Sequence, residues 1–227
     1  TRKESSAASD VYKRQIMGIT HDLQFKEQTR IVCWKLNEST EELLAFLSLS
    51  EKRLEKFQGL RPKQAREYLG LRACLKALDL DYDVLYDEKG KPYLPTSNEL
   101  SITHSYEYVA VGISDLPLGI DIEKSRPKKI LNIKEKYVRD DEFYWLKKYP
   151  DQLVDYLHIL WGLKEGLYKL NGGNLWNFLH HYRIEEFSLK EKQAISCWIS
   201  DQKSSRIYYG HYKKFDDFYL TWVLDYT

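Results

Sequence analysis

The sequence predicts an α+β protein, with helices and antiparallel strands in both halves of the chain. Three observations carry this. Tyr108-Val109-Ala110-Val111-Gly112-Ile113 is a near-continuous run of β-favouring residues. Leu118-Gly119-Ile120 follows it across the turn Asp115-Leu116-Pro117, which predicts an antiparallel pair. Leu153 to Leu170 carries the best helical pattern in the chain, and Asn171-Gly172-Gly173 stops it. Beyond it, the runs from Tyr182 to Phe187, Ala194 to Ser200, Arg206 to Tyr212 and Phe218 to Leu224 predict a second antiparallel set.

The chain has 227 residues, enough for one large domain or two small lobes with a real core. Lys and Arg number 35 against 34 Asp and Glu, a net charge of +1, so no global field argues for nucleic acid or a membrane surface. No apolar run approaches the roughly 20 residues that span a bilayer. Cys33, Cys74 and Cys197 are odd in number, far apart and without metal-ligand spacing, and read as reduced, buried thiols of a cytoplasmic protein. Thr1 to Gln15 is polar, rich in Ser, Lys and Arg, and lacks the apolar centre of a secretion signal. Met17 is the single methionine and the globular pattern begins just after it. Residues 1–16 are therefore expected to lie outside the domain as a disordered leader, with a basic targeting peptide as the alternative.

In order, Arg30 to Leu36 reads as the first strand. Ser39 with Glu42 forms a capping box for a short helix through Leu47, and Ser50 opens a basic helical turn ending near Phe57. After Pro62 a long helix runs to about Leu78, with Ala65, Leu69, Ala73, Leu75 and Leu78 inward. Lys52, Arg53, Lys56, Lys63, Arg66 and Arg72 form a dense set of cations, which is either a solvated helix face or an anion grip. Asp87-Glu88-Lys89-Gly90 is a turn that presents Lys91 and Pro92. Leu100-Ser101-Ile102-Thr103-His104-Ser105 is a strand ending in hydroxyls beside an imidazole. Between Lys124 and Asp151 the pattern loosens into two short helices, Asn132 to Tyr137 and Asp140 to Lys148.

Chemistry concentrates in two stretches. In Leu118-Gly119-Ile120-Asp121-Ile122-Glu123 the strand period of two puts both carboxylates on one side. They repel each other unless a cation sits between them or one takes up a proton. In Trp161-Gly162-Leu163-Lys164-Glu165-Gly166-Leu167-Tyr168-Lys169, Glu165 and Lys169 share a helix face, with Trp161 one turn earlier. Three carboxylates and a lysine together suit a hard divalent cation of the magnesium kind holding phosphate oxygens. Singly, each is a common surface feature: an Asp-x-Glu strand face, or an i, i+4 pair contributing about 0.2–0.5 kcal/mol.

Gly90-Lys91-Pro92, Ser101-Ile102-Thr103-His104-Ser105, Gly119-Ile120-Asp121-Ile122-Glu123 and Trp161-x-x-Lys164-Glu165-x-x-x-Lys169 together resemble the 4'-phosphopantetheinyl transferase family, in its larger single-chain, surfactin-synthetase-activating branch. The resemblance runs from about Lys52 to Lys169. It implies two pseudo-symmetric lobes, each an antiparallel sheet with packed helices, meeting at the active site. Residues 17–115 would form the N-terminal lobe and 116–227 the C-terminal lobe with the metal-site motifs. The implied reaction moves 4'-phosphopantetheine from coenzyme A to a serine of an acyl or peptidyl carrier protein, releasing adenosine 3',5'-bisphosphate. The resemblance implies Mg²⁺ on Asp121, Glu123 and Glu165, catalysis by Glu165 and Lys169, and coenzyme A held by Lys52, Arg66, Lys91, Thr103, His104 and Lys169. It also implies a monomer whose segment 124–151 docks the carrier. Thr103 replaces a serine of the family pattern and keeps the hydroxyl, and Gly166 stands where Ala or Ser is usual. Two rivals share these residues: another metal-dependent phosphoryl-transfer or phosphodiester-cleaving enzyme, and a coenzyme A-binding protein without turnover.

Overall fold

The chain builds two antiparallel sheets face to face and lays a long helix on the outside of each. The computed structural model describes residues 18–191 and 193–226, so the expectation for residues 1–16 lies outside the described residues. The elements are β1 (Ile19–Phe25), β2 (Thr29–Lys35), α1 (Thr40–Leu47), α2 (Glu51–Gln58), α3 (Pro62–Ala77), β3 (Leu85–Tyr86), β4 (Pro92–Tyr93), β5 (Glu99–Ser105) and β6 (Tyr108–Ser114). Then come β7 (Leu118–Lys124), α4 (Pro127–Ile133), α5 (Asp140–Leu146), α6 (Leu153–Leu170), α7 (Phe178–His181), β8 (Tyr182–Ile184), β9 (Ile195–Ser200), β10 (Ser205–Phe215) and β11 (Phe218–Leu224). One sheet has the order β1-β2-β6-β5 and the other β7-β11-β10-β9-β8, with β3 and β4 a small separate ribbon. Among the described residues no helix is long and apolar enough to cross a membrane.

The layering explains why the strands read as continuous apolar runs. Val32, Trp34, Val109 and Val111 face α3, where they meet Leu69, Ala73 and Leu75. Their neighbours Ile31, Cys33, Tyr108 and Ala110 face the second sheet and pack on Ile120, Ile122, Leu220 and Trp222. In β11 the alternation continues outward, Tyr219 and Val223 packing under α6 with Leu160, Leu163 and Leu167. With both faces buried there is no polar alternation to read.

The structure corrects three expectations. Strand β1 precedes the one expected to be first; its residues alternate between half-buried and exposed at a sheet edge, so it carries little apolar signal. Strands β6 and β7 are not a hairpin: β6 pairs with β2 and β5, and β7 pairs with β11. Asp115-Leu116-Pro117 carries the chain from one sheet to the other, with the Leu116 N–H turned back onto Ser114 Oγ and Pro117 O accepting from Asp225 N. Asp121 and Glu123, which the apparent hairpin would put near the far end of a central strand, consequently stand on an edge strand.

That edge is closed by side chains. Alternate hydroxyls of β5 accept alternate backbone N–H groups of β7: Ser101 Oγ from Ile120 at 2.9 Å, Thr103 Oγ1 from Ile122 at 3.2 Å, and Ser105 Oγ from Lys124 at 3.3 Å. The period of two in Ser-x-Thr-x-Ser thus joins two sheet edges that would otherwise leave buried donors unpaired. On the other side of β7, α6 approaches at backbone contact. A Cβ on Gly119 would lie 1.8 Å from Gly166 O, and one on Gly166 would lie 3.1 Å from Gly119 O. Gly166 therefore serves a close backbone approach, which brings the polar face of α6 against the carboxylates of β7.

Candidate active site

Asp121 lies in the seam between β5, β7 and α6, 6% exposed. Its Oδ1 accepts from Thr103 Oγ1 at 3.0 Å and from Lys169 Nζ at 2.8 Å, while Oδ2 is buried with no hydrogen-bond partner. Lys169 also donates to Ile120 O at 2.9 Å. The i, i+4 spacing suggested a Glu165–Lys169 pair; the lysine instead reaches across to β7. Two residues on, Glu123 Oε1 accepts from Trp161 Nε1 at 3.2 Å and Oε2 from Arg126 Nη2 at 3.2 Å. Burial, then repulsion from Asp121, raises the Glu123 carboxyl above its ordinary value. Burial chiefly, with Asp121 and Glu123 adding and Lys169 opposing, pushes Glu165 up to about 7. The three carboxylates therefore feel one another, as like charges at one site do.

As the side chains stand, no group of three or more His, Cys, Asp or Glu among the described residues is gathered closely enough to hold a metal ion. The donor set nevertheless fits a hard cation in its chemistry. It consists of carboxylate oxygens, one of them buried and unpartnered, and burial with like-charge repulsion raises Glu123 and Glu165 toward protonation. Lys169 and Arg126 supply positive charge in part, each from a flexible side chain.

Strand β5 also faces the second feature of the site. Thr103 points to Asp121, whereas Ile102 and His104 border a cleft of about 910 Å³ beside α2, α3 and the β3–β4 ribbon. Its rim carries Lys52, whose side chain is 87% exposed with Nζ 3.8 Å from Asp83. His104 is half exposed, with Nδ1 3.3 Å from Glu67 Oε1. A smaller cavity of about 270 Å³ is lined by Lys91, Ser101, Lys169 and Gly172, and shares Pro92 and Ile102 with the cleft. Lys91 Nζ bonds Glu99 Oε2 at 2.9 Å at this cavity. Both cavities are lined by β5, and the smaller one includes the lysine that touches Asp121.

Two expected ligand contacts sit elsewhere. Arg66 is exposed on α3, donates to Leu36 O at 2.5 Å, and does not line the cleft. The Thr103 hydroxyl is buried and already committed, donating to Asp121 and accepting from Ile122, so it orients a carboxylate instead of facing an open phosphate site. The cations that line the cleft on α2 and α3 are Lys52, Arg53, Lys56 and Arg72. Arg72 is 5% exposed and holds Tyr82 O at 2.6 Å and Asp81 at 3.1 Å.

Sequence reasoning missed the strut behind the motif helix. Lys164 is fully buried and donates to Glu142 Oε2 at 2.7 Å and to Tyr137 O at 2.6 Å. Glu142 further accepts from Arg139 N and Ile184 N, each at 2.9 Å. A buried ion pair of this kind holds only while every oxygen is satisfied. It fixes α5 and β8 to α6, one residue from Glu165. A lysine amid Leu160, Leu163 and Leu167 was the available signal.

Residues 117–223 match the family model described as the 4'-phosphopantetheinyl transferase superfamily. A 4'-phosphopantetheinyl transferase of Bacillus subtilis is 37% identical over 117 residues, half of each chain. The 4'-phosphopantetheinyl transferase ffp of Bacillus subtilis is 30% identical over 152 residues, 61% of this chain and 66% of the relative. The 4'-phosphopantetheinyl transferase Sfp of Bacillus subtilis strain 168 is 33% identical over 121 residues, 52% of each. The chain spans about half the length of the curated relatives it matches. The matched stretch holds the carboxylate strand, the helix against it and the sheet behind both, so it is the seam that is similar to the 4'-phosphopantetheinyl transferase superfamily.

Proposed function

We propose that the chain transfers 4'-phosphopantetheine from coenzyme A to a serine of an acyl or peptidyl carrier protein, releasing adenosine 3',5'-bisphosphate. The observation that carries this is the seam itself. Asp121 and Glu123 on β7 oppose Glu165 and Lys169 on α6, beside a cavity that shares Pro92 and Ile102 with a large cation-rimmed cleft. A dinucleotide-like substrate with a long arm and a reacting pyrophosphate needs such a cleft beside such a seam.

Asp121, Glu123 and Glu165 would hold Mg²⁺, with the unpartnered Asp121 Oδ2 as the clearest donor. When bound, the cation offsets negative charge on the pyrophosphate and on the departing phosphate. Lys169 Nζ, a mobile point charge now on Asp121, turns to a pyrophosphate oxygen, and Lys91 faces the same cavity. Lys52 and His104 at the cleft rim hold the far phosphate of the nucleotide. Glu165 accepts the serine proton, directly or through water. Thr103 keeps Asp121 aimed, and the Lys164–Glu142 strut keeps α6 in place. The exposed Lys128 and Lys129 of α4 offer positive charge to an acidic carrier beside this seam.

The test is intact mass spectrometry of apo-carrier proteins incubated with the chain, coenzyme A and Mg²⁺. The carrier gains one phosphopantetheinyl group and adenosine 3',5'-bisphosphate appears in equal amount. Cleavage of coenzyme A without any carrier would place the chain among phosphodiester-cleaving enzymes. Binding of coenzyme A with no turnover on any carrier would make it a binding protein.

A further inference from the structure

We propose that His158 is a positioning residue, which holds Glu123 in its working orientation through Arg126 and so bolts the exit of β7 to the first turns of α6. The inference rests on the reading of the carboxylate seam given above. His158 is 2% exposed, and its ring lies flat on Tyr219, centroids 4.7 Å apart and planes 9° from parallel. Nδ1 is 2.8 Å from Val154 O. A carbonyl can only accept, so Nδ1 carries the proton and Nε2 offers a lone pair. That lone pair accepts the backbone N–H of Arg126 at 3.0 Å. Burial lowers the proton affinity of the ring, which favours the neutral form that this geometry needs.

Arg126 returns its side chain to Glu123 Oε2, and Trp161 takes Oε1. Both oxygens of Glu123 are thus governed from α6, one by Trp161 directly and the other by His158 through Arg126. His158 and Trp161 stand three apart on the same helix, hence on one face. Together with Glu123, Arg126, Ile130 and Ile133 they line a shallow pocket of about 20 Å³, so little space is left between them. The segment it pins needs pinning. Arg126 precedes Pro127, which bars it from helical geometry, and it makes no side-chain cap for α4. An apolar residue could fill the space of His158 but would leave the partly buried Arg126 N–H without its acceptor.

The test reads Glu123 by way of the Trp161 indole N–H, whose ¹⁵N–¹H resonance is assigned with Trp161→Phe. In His158→Leu the indole resonance moves and kcat for carrier modification falls about tenfold, the measure of one lost hydrogen bond, with KM for coenzyme A unchanged. In His158→Gln the side-chain oxygen replaces Nε2 as acceptor, the resonance stays at its wild-type position and kcat returns to within about threefold. A merely structural histidine lowers the melting temperature in both variants and leaves the indole resonance and kcat alone; that result overturns the proposal. Should His158→Leu not fold, Arg126→Gln leaves His158 untouched and must move the same resonance, and an unmoved one overturns the proposal equally. If the wild type modifies no carrier, the reaction reading falls, and the indole resonance alone decides whether His158 positions Glu123.

Discussion

The open cleft beside α2 and α3 and the buried seam between β7 and α6 both collect charge, and they treat it in opposite ways. At the cleft, Lys52 is solvated on a long stem and its nearest acid is 3.8 Å away. In the seam Asp121 is 6% exposed, Lys169 holds it at 2.8 Å, and each Glu123 oxygen has a donor at 3.2 Å. Exposed pairs are worth about 0–1 kcal/mol because water screens them, while breaking a buried one costs about 3–5 kcal/mol. The cleft can therefore spread recognition over several weak contacts, whereas the seam concentrates consequence in single side chains. Substitutions should reveal this contrast directly.

The largest effect is expected at Asp121. Asp121→Asn keeps an acceptor for Thr103 but removes the charge, so transfer should fall about a thousandfold or more while the melting temperature stays within a few degrees. Rates of carrier modification and thermal melts check both halves. Lys169→Ala comes next, with a loss of about ten- to a hundredfold for one charge-assisted hydrogen bond to the pyrophosphate and a lower melting temperature, because buried Asp121 loses its cation. A wild-type rate in that variant would return Lys169 to a structural tie with Asp121 and Ile120.

Glu165 tests the seam without catalysis. Its carboxyl is raised from 4.5 to about 7, mainly by burial, so between those values the folded chain keeps a proton that the unfolded chain has released. Stability from this group is present below about pH 4.5 and is lost as pH rises through about 7. Glu165→Gln cannot ionise and should gain on the wild type across that window, by up to about 3 kcal/mol at pH 8. Denaturant melts at pH 5 and pH 8 measure the gap; equal stabilities at pH 8 would mean Glu165 is not desolvated. Mg²⁺ added to the wild type should narrow the gap by stabilising the ionised form. The smallest effect belongs to the cleft: Lys52→Ala should raise KM for coenzyme A about two- to fivefold, more at low salt, and leave kcat alone.

Much of this was legible in the chain. The α+β class, the long helix ended by Asn171-Gly172-Gly173, and the capping box of Ser39 with Glu42 follow from period and punctuation. Asp121 and Glu123 on a strand, and Glu165 and Lys169 on a helix, were visible as periodic pairs. What the sequence hid was the partner of each element. Runs buried on both faces, such as Tyr108–Ser114 and Leu118–Lys124, look the same in a hairpin and in a crossing between sheets. Spacing within α6 suggested Glu165 for Lys169, but the helix lies so close on Gly119 that Asp121 is the nearer acid. Ser101, Thr103 and Ser105 advertised hydroxyls without saying that β7 would use them as backbone acceptors. His158 and Glu142 showed nothing in sequence, because their roles depend on segments 32 and 22 residues away.

The central claim is that the cleft binds and the seam reacts, and one experiment tests it most directly. Initial rates of carrier modification are followed by intact mass at varied coenzyme A and saturating Mg²⁺ for wild type, Lys52→Ala and Asp121→Asn side by side. The account requires Lys52→Ala to shift KM at constant kcat, and Asp121→Asn to lose kcat while still melting as a folded protein. Near wild-type turnover by Asp121→Asn would contradict it.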